Sequence, residues 1–129
     1  MTKDELIKYW QESAADSLDT AATLFIPGKY HHCLFFLHLA VEKMLKAAFV
    51  KLKDITPSST HDLVRLWEAA GLPISENRKL ELAEISSFNL SARYDDYKRQ
   101  FYNKATKEYA KEWLNKGKAI FKELEEIPL

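Results

Sequence analysis

Between Lys29 and Lys53 the chain reads "KYHHCLFFLHLAVEKMLKAAFVKLK", and no other stretch limits the possible folds as much. On a 3.6-residue repeat, Tyr30, Leu34, Leu37, Val41, Leu45, Ala48 and Leu52 make one face. Cys33, Phe36, Ala40, Met44 and Ala47 make another. A helix with two apolar faces must be covered on both sides, by its own bundle or by a second subunit. This helix is therefore the centre of whatever the chain folds into.

The flanking segments supply its cover. Leu6, Trp10, Ala14, Leu18, Ala21, Ala22 and Phe25 form a stripe that predicts a first helix over 3–25. Thr2 with Glu5 fits a capping box at its start, and "IPGKY" breaks it, since Pro27 cannot continue the hydrogen-bond ladder and Gly28 permits the turn. "DITPSST" ends the second helix. A short helix over about 61–70 follows, with Ser59 or Thr60 as N-cap and Gly71 as its stop. Further helices are expected over about 76–88 and 104–125, the last turning Tyr109, Trp113, Gly117, Ile120, Phe121 and Leu124 inward. The pattern predicts an all-α fold, an antiparallel up-and-down bundle of about five helices forming a single domain over 1–129.

Bulk properties narrow the function classes. At 129 residues the chain can bury roughly two thirds of its unfolded surface. No apolar run approaches the ~20 residues of a membrane span, and "MTKDELIKYW" lacks a signal-peptide core. The single cysteine, Cys33, allows no internal disulfide and no multi-cysteine zinc site, so a cytoplasmic protein without a membrane partner is expected. Net charge is zero, but it is laid down in blocks. Residues 26–53 carry five basic side chains against one acidic, and residues 91–122 nine against four. Should the two blocks adjoin, they give a positive face suited to an anion; otherwise they are solvated helix surfaces of mixed sign.

The chemistry-bearing side chains are few. His31 and His32 are adjacent on a helix and project about 100° apart, so they cannot chelate one metal from a single face. His38 sits in the apolar stripe, where a buried, hydrogen-bonded imidazole is expected, and Cys33 is expected to pack rather than react. Neither a metal site nor a cofactor is predicted, and three scattered glycines cannot build a phosphate loop. His61 and Asp62, in "STHDLVRL", stand at a helix start where capping and anion contact are both open. The segment "NLSARYDDYKRQFY" interleaves Arg93, Lys98 and Arg99 with Tyr94, Tyr97 and Tyr102. Arginine forks onto phosphate oxygens and tyrosine rings stack on unpaired bases. The same residues could instead plug one end of the bundle, with Asp95 and Asp96 paired to Arg93 or Arg99.

Several of these pieces occur together in one family. "GKYHHCLFFLHLAVEKMLKAAF", with Gly28, Tyr30 and Ala40-Val41-Glu42-Lys43 through Lys46-Ala47, resembles the second helix of the HEPN domain. "THDLVRL" at 60–66 resembles that family's T-H-D-L helix start, and Ala92-Arg93-Tyr94 its A-R-Y motif. The resemblance implies a bundle of about five helices that commonly forms a two-fold homodimer. It also implies two functional histories. Some HEPN proteins are metal-independent ribonucleases, often toxins of toxin–antitoxin pairs, that use an arginine followed at short spacing by a histidine. Others are non-catalytic and act beside a small nucleotidyltransferase, binding a nucleotide or the partner enzyme.

Here, with four to six residues intervening after Arg93, the positions hold Lys98, Arg99 and Gln100, and no histidine follows Arg93. A proton shuttle near neutrality is what histidine, with an ordinary pKa of about 6.5, would supply, and lysine or arginine would not. The expectation is therefore a non-catalytic nucleotide-binding protein without catalytic residues. Arg93, Tyr94, Tyr97, His61 and Asp62 are its candidate contacts, and Lys43 and Lys46 extend the positive field from the second helix. Two alternatives stand beside it: an RNA endonuclease whose acid–base residue has moved to His61, and a purely structural dimerisation module. The expected partners are a nucleotide or RNA ligand, a nucleotidyltransferase and a second copy of the chain, with no DNA partner predicted.

Overall fold

The computed structural model describes residues 1–54, 60–93 and 95–128, and for 90–93 and 95–98 the backbone alone. Six helices make up the described fold: α1 (Lys3–Phe25), α2 (Tyr30–Lys53), α3 (Leu63–Ala69), α4 (Glu76–Arg93), α5 (Asp95–Lys104) and α6 (Lys107–Glu125). The architecture is an all-α helical bundle, with one helix more than the sequence pattern resolves.

The extra helix comes from the tyrosine-rich segment. The expected end of α4 at Phe88 is overturned: the helix runs on to Arg93, and Asp95–Lys104 forms α5. Asn89 is thus an interior helical residue. Phe101 explains why the second piece is held, since it is buried and stacks on Phe88 of α4 with ring centroids 5.6 Å apart. α6 accordingly starts at Lys107 rather than Lys104, with the Thr106 hydroxyl accepting from the Tyr109 N–H at 3.2 Å.

The first two helices form as the sequence predicts. Thr2 and Glu5 make the reciprocal capping box, at 3.1 and 3.2 Å. Gly28, at φ 82°, supplies the left-handed residue of a Schellman-type stop: its N–H bonds the Phe25 carbonyl and that of Lys29 bonds the Leu24 carbonyl. α2 is then enclosed by its own chain. α1 runs along it, while α3, α4, α5 and α6 contact its other sides, and Leu34, Leu37, Val41 and Leu45 are fully buried. Both apolar faces are covered within one subunit, so a dimer is not needed to explain them.

α6 approaches α2 so closely that one position must be glycine. A Cβ at Gly117 would lie 2.8 Å from Leu37 Cγ and Cδ2, well inside van der Waals contact. A second tie joins the three C-terminal helices. Glu84 of α4 accepts from the Tyr109 hydroxyl of α6 and from Lys104 Nζ of α5 at 2.8 Å. Burial works to raise the Glu84 carboxyl, but those two hydrogen bonds and the Lys104 charge outweigh it and hold the group below its usual range.

The glycine contact is testable. Alanine at an exposed helical position is favoured over glycine by about 1 kcal/mol, whereas overpacking a core costs about 1–3 kcal/mol. Gly117→Ala should therefore lower the urea midpoint at unchanged slope, a net loss of up to about 2 kcal/mol. An unchanged or higher midpoint would show that α6 can move off Leu37.

Candidate functional site

His38, Glu42 and Lys46 recur every fourth residue on α2 and therefore share one face. Glu42 is 4% exposed, so its carboxylate can be tolerated only if its oxygens are well supplied with donors. His61 Nδ1 donates to Oε1 at 2.7 Å and Lys46 Nζ to Oε2 at 3.3 Å. His38 is fully buried, as its place in the apolar stripe predicts, with Nε2 3.3 Å from the His61 carbonyl oxygen. A carbonyl only accepts, so Nε2 of His38 carries the proton. One helix face thus grips both the ring and the backbone of His61.

That grip sets the entry to α3. Asp62, not Ser59 or Thr60, is the N-cap: its Oδ1 accepts from the N–H groups of Val64 (3.1 Å) and Arg65 (3.2 Å). A carboxylate serves two donors and adds a full negative charge at the positive end of the helix, which a hydroxyl cannot match. Thr60 accepts instead from the Asp62 N–H at 3.2 Å, and Ser59 lies outside the described residues. His61 therefore precedes the cap and turns its ring to Glu42, rather than facing the open N–H groups of the helix start. On the other side, the Leu63 N–H donates to Ser86 Oγ of α4 at 3.0 Å.

Between the start of α3 and the flank of α4 lies an open cavity of about 470 Å³, lined by His61, Asp62, Val64, Ala83, Ser86, Ser87 and Asn89. Asn89 is 8% exposed, and its Oδ1 is a buried acceptor without a hydrogen-bond partner among the described residues. Helical register continues this line. Ser86, Asn89 and Arg93 stand at i, i+3 and i+7 of α4, so the backbone of Arg93 falls on the stripe that borders the cavity, one turn beyond Asn89.

The expected site residues thus divide. His61 and Asp62 come together at the cavity. Arg93 is positioned by its backbone, Tyr97 lies in the first turn of α5, and the side chains of both, with all of Tyr94, are outside the described residues. Lys43 and Lys46 go elsewhere. Lys46 is 9% exposed, pairs with Glu42 and sits 5.0 Å from the Trp10 ring, while Lys43 Nζ donates to the buried Ser17 at 2.9 Å. Both point to α1 and neither lines the cavity, so the positive field expected from them is largely spent inside the α1–α2 contact.

Sequence reasoning missed Glu42 and underused Asn89. The signal for Glu42 is plain in the chain: an acid in an otherwise apolar run, four residues from a histidine and four from a lysine, must find partners. The remaining candidates behave as packing and surface. Cys33 is fully buried, and burial pushes its thiol up to about 11. His31 and His32 stack at 3.9 Å near the exposed Tyr102, and partial burial, then the charges of His32 and Lys29, lower His31. Among the described residues no cluster of three or more His, Cys, Asp or Glu could hold a metal, and no helix is long and apolar enough to cross a membrane.

The HEPN domain model matches residues 7–127. The crystal structure of TT1696 from Thermus thermophilus is similar, with a TM-score of 0.76 over 93% of this chain and 96% of that one, at 23% identity. At that identity the likeness is one of fold. No curated protein matches the chain.

The Glu42 cluster makes a stability prediction. Glu42→Gln leaves the Lys46 charge buried without a counter-ion, a change that costs about 3–5 kcal/mol. The Glu42→Leu/Lys46→Met double variant should recover most of that loss in urea unfolding. A double variant no more stable than Glu42→Gln would mean that His61, not Lys46, carries the dependence.

Proposed function

The chain belongs to the HEPN family, and from that premise we propose that it binds a nucleotide at the α3–α4 cavity without acting on it. The observation that carries this reading is the convergence of His61, Ser86 and Asn89 on one cavity, with the Arg93 backbone on the same helical stripe. Apolar walls with a few convergent polar groups are what a small-ligand site needs. Arg93 grips the phosphates, His61 contributes cavity wall from a ring held in place by Glu42, and Tyr94 and Tyr97 close the site by stacking. We assign the protein a small nucleotidyltransferase as partner and a second copy of itself as dimer mate; both assignments rest on family membership.

Calorimetric titration with ATP tests the reading. Wild type should bind, and Arg93→Ala should weaken binding about tenfold or more, the usual worth of a charge-assisted contact. Equal heats from both proteins, or none from either, would remove nucleotide binding as the role of this cavity.

One observation favours a second reading. A carboxylate 2.7 Å from His61 Nδ1 orients the imidazole as a base or acid is oriented in hydrolytic enzymes. In that reading the protein cleaves single-stranded RNA without metal, using His61 as the proton-transfer group. Cleavage should persist in chelator and fall at least about 100-fold in folded His61→Ala. Intact RNA across varied single-stranded substrates would exclude it.

A further inference from the structure

An aromatic surface joins the start of α2 to the outer face of α5. Phe101 is buried, but Tyr102 next to it is 64% exposed, with its ring centroid 5.1 Å from that of His31. His31 in turn lies 3.9 Å from the exposed His32. Three rings from two helices thus adjoin at the surface instead of in the core. Two cations flank them. Lys29 is exposed at the entry to α2, and Arg99 is exposed one turn before Tyr102 on the same face of α5. Neither makes an ion pair among the described residues.

The local sequence favours this arrangement poorly on stability grounds. α1, α4 and α6 each carry an acid in the first turn, as the helix dipole prefers, whereas α2 carries none there. Lys29, His31 and His32 crowd together instead, and after partial burial it is the charges of His32 and Lys29 that lower His31. A local rule broken without a compensating gain inside the fold is expected where a surface has a use. An acidic peptide or a free phosphate would engage the cations and leave the rings idle. A chain that carries both flat groups and regularly spaced negative charges engages both. We propose that the start of α2 and the outer face of α5 form a binding surface for single-stranded nucleic acid, on which Tyr102, His31 and His32 stack with unpaired bases while Lys29 and Arg99 hold flanking phosphates. None of these five residues lines the α3–α4 cavity, so the surface is separate from the nucleotide site proposed above.

Fluorescence anisotropy with labelled oligouridine and oligothymidine tests this. Wild type should bind, and less tightly as salt rises. Tyr102→Ala should weaken binding at least about fivefold, whereas Tyr102→Phe, which keeps the ring, should match wild type. His32→Ala should act in the same direction, and it decides the matter should Tyr102→Ala loosen α5. Lys29→Ala and Arg99→Ala should each flatten the slope of log affinity against log salt by about 0.7, the share of one phosphate on a single strand. Binding of either strand supports the surface, and the ratio between them reports contact with the 2′-hydroxyl. No binding of either strand would overturn the proposal, as would binding that Tyr102→Ala and His32→Ala both leave unchanged. Polyglutamate competing as well as unlabelled oligouridine would overturn it too, by making the surface a docking place for acidic protein.

Discussion

A single carboxylate, removed from water in the middle of α2, organises the part of the molecule that matters for function. Buried carboxyl oxygens need donors, and the ones Glu42 finds come from different places in the chain. Lys46 is local, one turn along the same helix. His61 is nineteen residues away and belongs to the connection that enters α3. Satisfying Glu42 therefore fixes where a loop residue stands relative to the central helix, and His38 repeats the constraint through the His61 carbonyl. A histidine that sequence places at a loosely determined helix start becomes one of the better determined side chains in the fold.

The rest of the site follows from how α2 is enclosed. Its two apolar faces need cover from several sides, and α4 is one of the helices that provides it. Because α3 is short and pinned at its start to Ser86, it leaves a gap beside α4 rather than sealing it. The polar residues of α4 that line this gap, Ser86 and Asn89, occur at helical spacing, and the Arg93 backbone continues their stripe. Among its described lining residues the cavity has no lysine or arginine, and its acidic member, Asp62, sits at the α3 end. An anion at this groove would therefore draw nothing from a general basic face built by Lys43 and Lys46, whose ammonium groups turn to Ser17 and Glu42.

How far the fold and the site can be read from the sequence depends on whether the controlling interaction is local. The capping box of Thr2 and Glu5, the Gly28 stop and the inward face of α6 are decided within a few residues, and periodicity and cap chemistry find them. The stretch after Phe88 is different. Its helical continuation depends on Phe101 reaching back to stack on Phe88, a contact across thirteen positions that no local propensity reports. The N-cap of α3 escapes sequence reasoning for a related reason: Thr60 and Asp62 are both good caps, and what decides between them is the ring of His61 being drawn to Glu42. Lys46 illustrates the converse error. Its charge is visible in the sequence, but a charge contributes to an external field only if its counter-ion is not already beside it.

The balance between binding and catalysis turns on what else in the cavity can move a proton. Orientation by a carboxylate serves a binding histidine as well as a catalytic one, so the Glu42–His61 pair alone does not discriminate. Strand cleavage by attack of a ribose hydroxyl asks for a base at the nucleophile and an acid at the leaving oxygen. Of the described residues lining the cavity, Ser86, Ser87 and Asn89 exchange no proton in the neutral range, and Asp62 is committed through Oδ1 to capping two backbone N–H groups. His61 would then have to perform one half of the reaction, and for the other half the described lining offers Asp62, which already caps α3. Holding a nucleotide asks only for complementary donors and acceptors, and no proton need move.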